Sequence, residues 1–430
     1  DLPSYSESQM ARLDYGWSAV EAVQEGALKY IHLPKAELYD LDQDPRESRN
    51  LFESQKGTAA RLHRLLEKIK DENKDPEAEA SAVQEMDKET EEKLRGLGYM
   101  AGGGPSKPKA GGPDPKDVIH LLRVMHRAQD MTTKKKFVEA ARLFQQVLQA
   151  NPTNSAARNG LAQAQTQAGD IPGAEKTLRK LQQEDPGNPD GYLGLARLYL
   201  GHKGDSAAAA REVEAAMAVA PKNPEVWVMK GILESKTGKE AQAMDSLRKA
   251  RELGSRSVPM YEALVGLYLK GDNVQEASEA VEEALRENAD SEGPHFLAGL
   301  IWEKNGKLDR AAEAYEKALE IEEDHTGSLQ NLGNVRFKQD RLPEAVELLL
   351  RAMKLEPKNP AILYDLGTVY LNAGELQGAV AALKRSLALR KGDPRTHDNL
   401  ALAYSRLGSG EEAFSHYKTL SGLEAAAKSL

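Results

Sequence analysis

Small apolar residues recur at a fixed interval along most of the chain. Alanine occupies nine positions that are 34 residues apart, except for one step of 35 residues. We call these the ladder alanines: Ala140, Ala174, Ala209, Ala243, Ala277, Ala311, Ala345, Ala379 and Ala413. Four residues after each of them stands a larger apolar or aromatic side chain, such as Phe144 or Tyr315. A fixed period of this length is typical of helical repeat arrays.

A second small or slim residue lies about twelve residues before each ladder alanine. These residues are Ala128, Ala162, Ala196, Gly231, Val265, Gly299, Gly333, Gly367 and Ala401. Helix axes pack about 8–10 Å apart, and small side chains at the contact allow the closer distance. Each period therefore predicts two helices with apolar faces at i, i+3, i+4 and i+7. A single helix pair cannot bury its apolar face alone, so neighbouring pairs are expected to stack.

Glycine and proline mark the predicted helix ends. Four glycines fall near the ends of first helices, where a left-handed cap suits glycine: Gly238, Gly306, Gly374 and Gly408. Four prolines close their units, since proline cannot continue a helix: Pro152, Pro186, Pro221 and Pro357. The pattern predicts an array of about nine helix pairs over residues 118–420, followed by a tail at 421–430.

The first hundred residues lack this repeat. Residues 28–33 and 37–41 predict two short strands that form a hairpin. An apolar stripe then predicts an amphipathic helix, capped by Thr58. The stripe consists of Leu62, Leu65, Leu66 and Ile69. Residues 70–92 are acidic and lysine-rich, which indicates a solvated helix or a loose tether, and residues 101–117 predict a flexible Gly/Pro/Lys linker.

The repeats resemble the tetratricopeptide repeat (TPR) family over roughly the last 300 residues. The resemblance implies a mainly helical solenoid of helical hairpins, with a concave groove lined by the first helix of each pair. A groove that mixes amide, aromatic and aliphatic groups could bind an extended peptide or a helix of a protein partner. The residues that the resemblance places in this groove are Asn159, Gln163, Arg197, Val228, Ile232, Phe296, Leu300, Gln330, Asn334, Tyr364 and Arg406.

Residues 1–100 resemble the carboxy-terminal end of a bacterial sulfatase. The combination of Glu37-Leu38-Tyr39-Asp40-Leu41, Asp44-Pro45 and Asn50-Leu51 carries the resemblance, together with Tyr15-Gly16-Trp17 and the closing segment 92–99. In that family this region is a small α+β subdomain, a short antiparallel sheet with a helix, beside a large α/β catalytic domain. The resemblance therefore implies that a catalytic domain of the alkaline-phosphatase superfamily precedes Asp1, and that the chain is a piece of a longer protein.

The resemblance implies a catalytic core that these 430 residues do not contain. Such sulfatases use a formylglycine, formed from a Cys/Ser-x-Pro-x-Arg motif, and a calcium ion held by acidic residues. The chain has no cysteine and no such serine motif, so no catalytic residue is assigned here. The intact parent is expected to hydrolyse sulfate esters. Two alternatives stay open: a phosphoryl-ester hydrolase of the same superfamily, and a purely non-catalytic scaffold.

Charge and composition narrow the classes of partner. The formal net charge is −9, which does not favour nucleic acid or an anionic membrane as a general partner. No apolar run reaches the ~18 residues of a membrane-spanning helix. Without cysteine, disulfides and thiol chemistry are excluded. Family analogy suggests a periplasmic or extracellular site, while composition leaves the compartment open.

Two groups of residues invite a metal-binding interpretation. Asp40, Asp42 and Asp44 alternate as in a calcium loop, but Pro45 and Leu51 replace the glycine and glutamate that an EF-hand requires. A turn explains these aspartates better. The nine histidines show no metal-ligand spacing, and His295 and His397 fall where other repeats carry an aromatic packing residue. The sequence therefore predicts no metal site.

Overall fold

The structure, a computed structural model, describes residues 3–8, 18–72 and 114–428. The predicted tether at 73–92 and most of the predicted linker, at 101–113, lie outside these residues. The chain divides into two units, Asp1–Lys239 and Glu240–Leu430. Each unit is described by itself below.

The first unit begins with a four-stranded antiparallel sheet of sequential order. Its strands are β1 (Ser4–Ser8), β2 (Val20–Glu25), β3 (Leu28–His32) and β4 (Glu37–Asp40). The β3–β4 pairing aligns Tyr30 with Leu38, which confirms the predicted hairpin. The sequence did not predict β1 and β2, because β1 is entirely polar apart from Tyr5 and β2 alternates only in part.

Helix α1 (Lys56–Glu72) covers one face of this sheet. Leu62 and Leu66 are fully buried and pack with Val23, Tyr30 and Leu38 of the strands. The predicted stripe is therefore confirmed. The predicted cap at Thr58 is wrong, because α1 begins two residues earlier, after a backbone turn at residues 51–55.

The last residues of the predicted linker are ordered against the sheet. Asp114 accepts hydrogen bonds from the backbone N–H groups of Lys116, at 3.0 Å, and Lys35, at 3.1 Å. Lys35 also pairs with Asp117 at 2.7 Å, and Lys116 pairs with Glu37. Residues 115–117 thus open the short helix α2 (Pro115–Val118) and do not belong to a flexible linker. Proline at the first helical position, after an aspartate cap, explains why a helix begins here.

The repeats of the first unit form seven helices and one π-helical turn. They are α3 (His120–Thr133), α4 (Phe137–Ala150), α5 (Ser155–Gln167), α6 (Ile171–Glu184), α7 (Pro189–Leu198), the π-helix Tyr199–Lys203, α8 (Ser206–Val219) and α9 (Pro224–Lys236). Successive helices pack against each other as antiparallel hairpins. Each predicted closing proline of this unit follows a helix end by two residues, as at Ala150 and Pro152.

The second unit contains eleven helices. They are α10 (Glu240–Glu252), α11 (Val258–Lys270), α12 (Val274–Glu287), α13 (Glu292–Lys304), α14 (Leu308–Ile321), α15 (Thr326–Lys338), α16 (Leu342–Leu355), α17 (Pro360–Asn372), α18 (Leu376–Leu389), α19 (Pro394–Leu407) and α20 (Gly410–Lys428). The last helix, α20, extends into the predicted tail at 421–430 and ends at Lys428.

The ladder alanines occupy equivalent positions in successive second helices. Each is the fourth residue of the second helix of its pair, and all nine are buried. The small residues of the first helices pack against the large residue that follows the ladder alanine by four positions. A Cβ atom placed on Gly299 would lie 2.3 Å from the ring of Tyr315, and one on Gly367 would lie 2.6 Å from Leu383. Close helix packing therefore requires these glycines.

Each connection from a first helix to the following second helix contains one residue with positive φ among the described residues. The nine residues are Lys135, Gly169, Gly204, Gly238, Asp272, Gly306, Asp340, Gly374 and Gly408. The four predicted glycine caps are among them and are confirmed. Glycine predominates because this left-handed conformation costs it no steric clash.

Candidate functional site

Most of the predicted groove residues occupy equivalent positions on first helices. Asn159, Val228, Phe296, Gln330 and Tyr364 are each the fifth residue of their helix, and Gln163, Arg197, Ile232, Leu300 and Asn334 are each the ninth. Arg406 is the thirteenth residue of α19. The structure therefore places ten of the eleven on a common helix face in their respective units.

In the first unit, the residues of this face are exposed on α5 and α7 but buried or partly buried on α9. Asn159, Gln163 and Arg197 are exposed. Val228 is only 2% exposed and lies in the core, so its assignment as a groove residue is wrong. Ile232 is partly buried against the same core cluster. The sequence could not separate the two faces of α9, because apolar residues surround this helix.

In the second unit, two predicted residues of α15 share one partner on α17. The amide nitrogen of Gln330 donates to Oδ2 of Asp365 at 2.6 Å, and that of Asn334 donates to the same oxygen at 3.0 Å. Tyr364 precedes Asp365 on α17, and the guanidinium of Arg395 lies 5.0 Å from its ring centre. Sequence analysis missed Asp365 and Arg395, although an acid one repeat away from two amides was a usable signal.

This arrangement leaves several hydrogen-bond acceptors unused by these two contacts. Both amide NH₂ groups donate to one carboxylate oxygen, so the amide carbonyl oxygens and the second oxygen of Asp365 remain as acceptors. Burial raises the pKa of Asp365 above its ordinary value, while the two amide donors and Arg395 oppose that rise. The surface formed by Gln330, Asn334, Tyr364 and Asp365 is called the amide–acid site below.

An apolar patch lies beside the amide–acid site. The ring of Phe296 is half-buried and contacts the rings of His325, at 5.1 Å between centroids, and Tyr315, at 5.9 Å. A Cβ atom on Gly327, one turn before Gln330, would lie 3.2 Å from Phe296. Leu300 packs partly buried in the same cluster. The predicted aromatic and aliphatic groove residues of α13 thus adjoin the predicted amides of α15.

Arg406 has a different role from the other predicted residues. Its guanidinium donates to the backbone carbonyl of Leu371 at 3.1 Å, near the carboxyl end of α17. Carbonyl groups in the last turn of a helix lack intrahelical partners, so a cationic donor satisfies one of them. Arg406 therefore links α19 to α17 and lies outside the shared groove positions.

Comparisons with known sequences agree with the repeat geometry. Family models described as tetratricopeptide repeat match residues 132–198, 263–325 and 361–391, and one described as TPR repeat matches 333–374. These segments lie on the helix pairs that contain buried ladder alanines. The chain contains tetratricopeptide repeats. Its TPR pairs explain the mainly helical fold and the solenoid-like stacking within each unit.

One solved structure shares this fold. The chain is similar to the crystal structure of the APC/C hetero-tetramer Cut9-Hcn1, with 17% identity and a TM-score of 0.56 over 65% of this chain. It spans 55% of the length of that matched chain. MamA from Desulfovibrio magneticus RS-1 (residues 41 to the end) is 20% identical, with a TM-score of 0.37 over 40% of this chain and 97% of MamA. A search of curated proteins gave no match.

Other TPR side chains close the loops between successive pairs. Nε1 of Trp227 donates to the carbonyl of Pro221 at 2.8 Å, and the hydroxyl of Tyr192 donates to that of Pro186 at 3.2 Å. Nε2 of His295 makes the equivalent contact with the carbonyl of Ala289 at 3.1 Å. His295 thus has the packing role that the sequence predicted for it.

The aspartates before Pro45 form turns. Asp40 accepts hydrogen bonds from the N–H groups of Asp42 and Gln43. Asp44 accepts one from the hydroxyl of Ser48 and one from the N–H group of Arg49. The described residues contain no group of three or more acidic or histidine side chains placed to hold a metal ion. Among these same residues, no helix combines the length and apolarity needed to cross a membrane.

Proposed function

We propose that the TPR array is a protein-interaction scaffold and that the amide–acid site of the second unit binds a segment of its partner. The donation of Gln330 and Asn334 to one oxygen of Asp365 is the observation that carries this proposal. A site rich in acceptors suits a ligand rich in donors, such as an extended peptide with lysine or arginine side chains. Phe296 and Leu300 supply adjoining apolar surface for it.

The charge of the second unit supports a basic partner. Residues 240–430 contain 31 Asp and Glu against 24 Lys and Arg, a net charge of −7 out of −9 for the whole chain. Such a field steers cationic ligands toward the unit and increases the association rate at low salt. Cut9-Hcn1 is itself named as a hetero-tetramer, an assembly of proteins.

Selection of short random peptides on the whole 430-residue chain tests this proposal. We expect the selected peptides to be basic and to lose affinity about tenfold against Asp365→Asn, because the variant removes the negative charge of the site. Glu347→Gln is the matched control, since Glu347 is an exposed acid on the second helix α16. Peptides that bind wild type and Asp365→Asn equally would place the binding surface elsewhere and refute the proposal.

We also propose that residues 1–100 are the carboxy-terminal subdomain of a sulfatase-like hydrolase. The small α+β layer of four strands and α1 supports this, as do the contacts of the shared motif. Asn50 accepts a hydrogen bond from the N–H of Leu38 at 3.0 Å, which ties the motif's Asn-Leu pair to β4. The residues present offer neither a formylglycine precursor nor, where described, an acidic calcium cluster. Those groups would belong to the preceding domain.

The parent protein, expressed with the sequence upstream of Asp1, tests this second proposal. A Cys/Ser-x-Pro-x-Arg motif upstream and hydrolysis of an aryl sulfate are the expected results. Hydrolysis of phosphate esters alone, with a serine or threonine nucleophile upstream, would favour the phosphoryl-ester alternative. An upstream region without a nucleophile or metal-binding aspartates would favour the non-catalytic scaffold.

A further inference from the structure

An open, solvent-facing cavity of about 560 Å³ lies on the second-helix side of the second unit, away from the groove positions. It is lined by Arg248, Arg251, Glu252, Arg256 and Glu283. Three of these belong to α10, one to the loop at 253–257 and one to α12. The volume falls within the ~300–1,000 Å³ of small-molecule sites.

The loop that places Arg256 departs from the repeat. It has five residues, whereas the seven other loops between successive pairs have four. Gly254, two residues after the end of α10, has φ of +93°, and the loop then turns back over the helix end. Nη1 of Arg256 donates to the carbonyls of Ser255, at 2.7 Å, and Arg251, at 3.1 Å. Nδ2 of Asn288 donates to the carbonyl of Arg256 at 2.9 Å, which fixes the loop from α12. The guanidinium of Arg256 is therefore held in place by contacts that the repeat does not require.

A buried carboxylate arranges two of the three guanidinium groups. Glu283 is only 9% exposed. It pairs with Arg251, and its Oε1 lies 3.6 Å from Nε of Arg256. Because buried charges are retained only with partners, Glu283 keeps both guanidinium groups at the wall of the cavity.

The third guanidinium group has no protein partner. Arg248 is exposed and forms no ion pair or hydrogen bond within the described part of the chain. The other acid of the cavity, Glu252, pairs with Lys249 at 3.0 Å. The cavity thus has an excess of positive charge in a unit whose net charge is −7.

We infer that this cavity is an oxyanion site that binds a phosphate or sulfate monoester. Guanidinium groups offer planar pairs of N–H donors that match tetrahedral oxyanions, and three of them converge here. The cavity is larger than the anion alone, so it has room for part of the group that carries the ester. This inference is independent of the amide–acid site, which lies on first helices.

Isothermal titration calorimetry of the whole chain at low salt tests the inference. The probes are O-phosphoserine and tyrosine O-sulfate, which distinguish the two esters, with acetate as a planar carboxylate of lower charge density. We expect one ester to bind, more tightly than acetate, and its affinity to fall as salt is added. Absence of binding by both esters would overturn the inference.

Substitution of Arg248 locates the site. Because Arg248 is exposed and forms no ion pair or hydrogen bond in the described part of the chain, Arg248→Ala is expected to leave the melting temperature unchanged and to weaken ester binding about tenfold. Arg248→Lys, which keeps the charge but loses the paired donors, is expected to give an intermediate affinity. Arg390→Ala, at an exposed arginine in the loop after α18, is the control and should bind as wild type does. Equal binding by Arg248→Ala and wild type would overturn the inference.

Discussion

The hairpin turns show how one backbone angle selects a residue type. Six of the nine left-handed positions carry glycine, and the others carry Asp272, Asp340 and Lys135. Aspartate tolerates this conformation better than most residues because its short side chain can bond locally. Sequence alone located four of the six glycines; the non-glycine turns could not be predicted, because a left-handed lysine has no sequence signature.

Gly306→Ala is expected to lower the free energy of unfolding by about 1–2 kcal/mol, because alanine is strained at φ of +71°. Gly187→Ala is the matched control. Gly187 lies outside the left-handed region, and an added Cβ would meet nothing within 4 Å, so the stability should stay unchanged or increase slightly. Chemical denaturation of both variants measures the difference. An equal effect of the two substitutions would contradict the role of the turn conformation.

Asp190, in the first turn of α7, makes stability depend on pH. Burial raises its pKa from 3.8 to about 6, the nearby Asp185 carboxylate adds to the rise, and Arg197 opposes it. The folded state therefore binds the proton more tightly than the unfolded state. The resulting penalty is absent below pH 3.8, grows as pH rises toward 6 and is complete above it.

Asp190→Asn should remove this penalty. We expect the variant to exceed wild type by about 1–3 kcal/mol at about pH 8 and to match it at about pH 4. Denaturation curves at both pH values provide the measurement. The control is Asp245→Asn, at an exposed aspartate of α10, which should shift stability by a similar small amount at both. A gain at Asp190 that is the same at both pH values would argue against burial as its cause.

At the scale of elements, the 34-residue period of the sequence predicted almost every helix pair. The one 35-residue step coincides with the π-helix Tyr199–Lys203, which precedes the left-handed Gly204. A π-helical turn accommodates one extra residue without shifting the helices on either side. The sequence showed the insertion, but it could not show whether a loop or a helix would absorb it.

The elements that sequence analysis missed lack hydrophobic contrast. Strand β1 is polar along its length, and it is ordered by its pairing with β2, from Ser4 opposite Gln24 to Ser8 opposite Val20. Likewise, Val228 could not be assigned to the core, because α9 is apolar on several sides. Asp365 was missed for another reason: its role depends on the side-chain amides of Asn334 and Gln330, which precede it in the sequence by 31 and 35 residues.

Ala277→Leu tests the packing of the second helices. Ala277 is fully buried at the fourth position of α12, so a larger side chain should cost about 1–3 kcal/mol through strain. Glu276→Leu introduces the same side chain at the preceding, exposed position of that helix. It should leave the melting temperature nearly unchanged. Similar melting temperatures for the two variants would refute the predicted close packing.

At the scale of the whole molecule, the proposals assign recognition to the TPR units and catalysis to a domain outside these 430 residues. The TPR units offer an acceptor-rich surface and a basic cavity. The described residues form no group of three or more side chains placed to hold a metal ion. The α+β layer contributes a sheet whose motif residues are used in turns and backbone contacts, as at Asp44 and Asn50. Under the sulfatase proposal, hydrolysis would come from the domain that we propose precedes these residues.

The purified 430-residue chain is accordingly expected to show no turnover of an aryl sulfate, with or without added calcium. The rate should equal that of buffer, because formylglycine requires a Cys/Ser-x-Pro-x-Arg motif that the chain lacks. The parent protein, assayed at equal concentration, is the positive control for the substrate. If the purified chain still turned over the aryl sulfate after repeated chromatography, it would contain a nucleophile outside the formylglycine motif. It would refute the division between a recognition region and a separate catalytic domain.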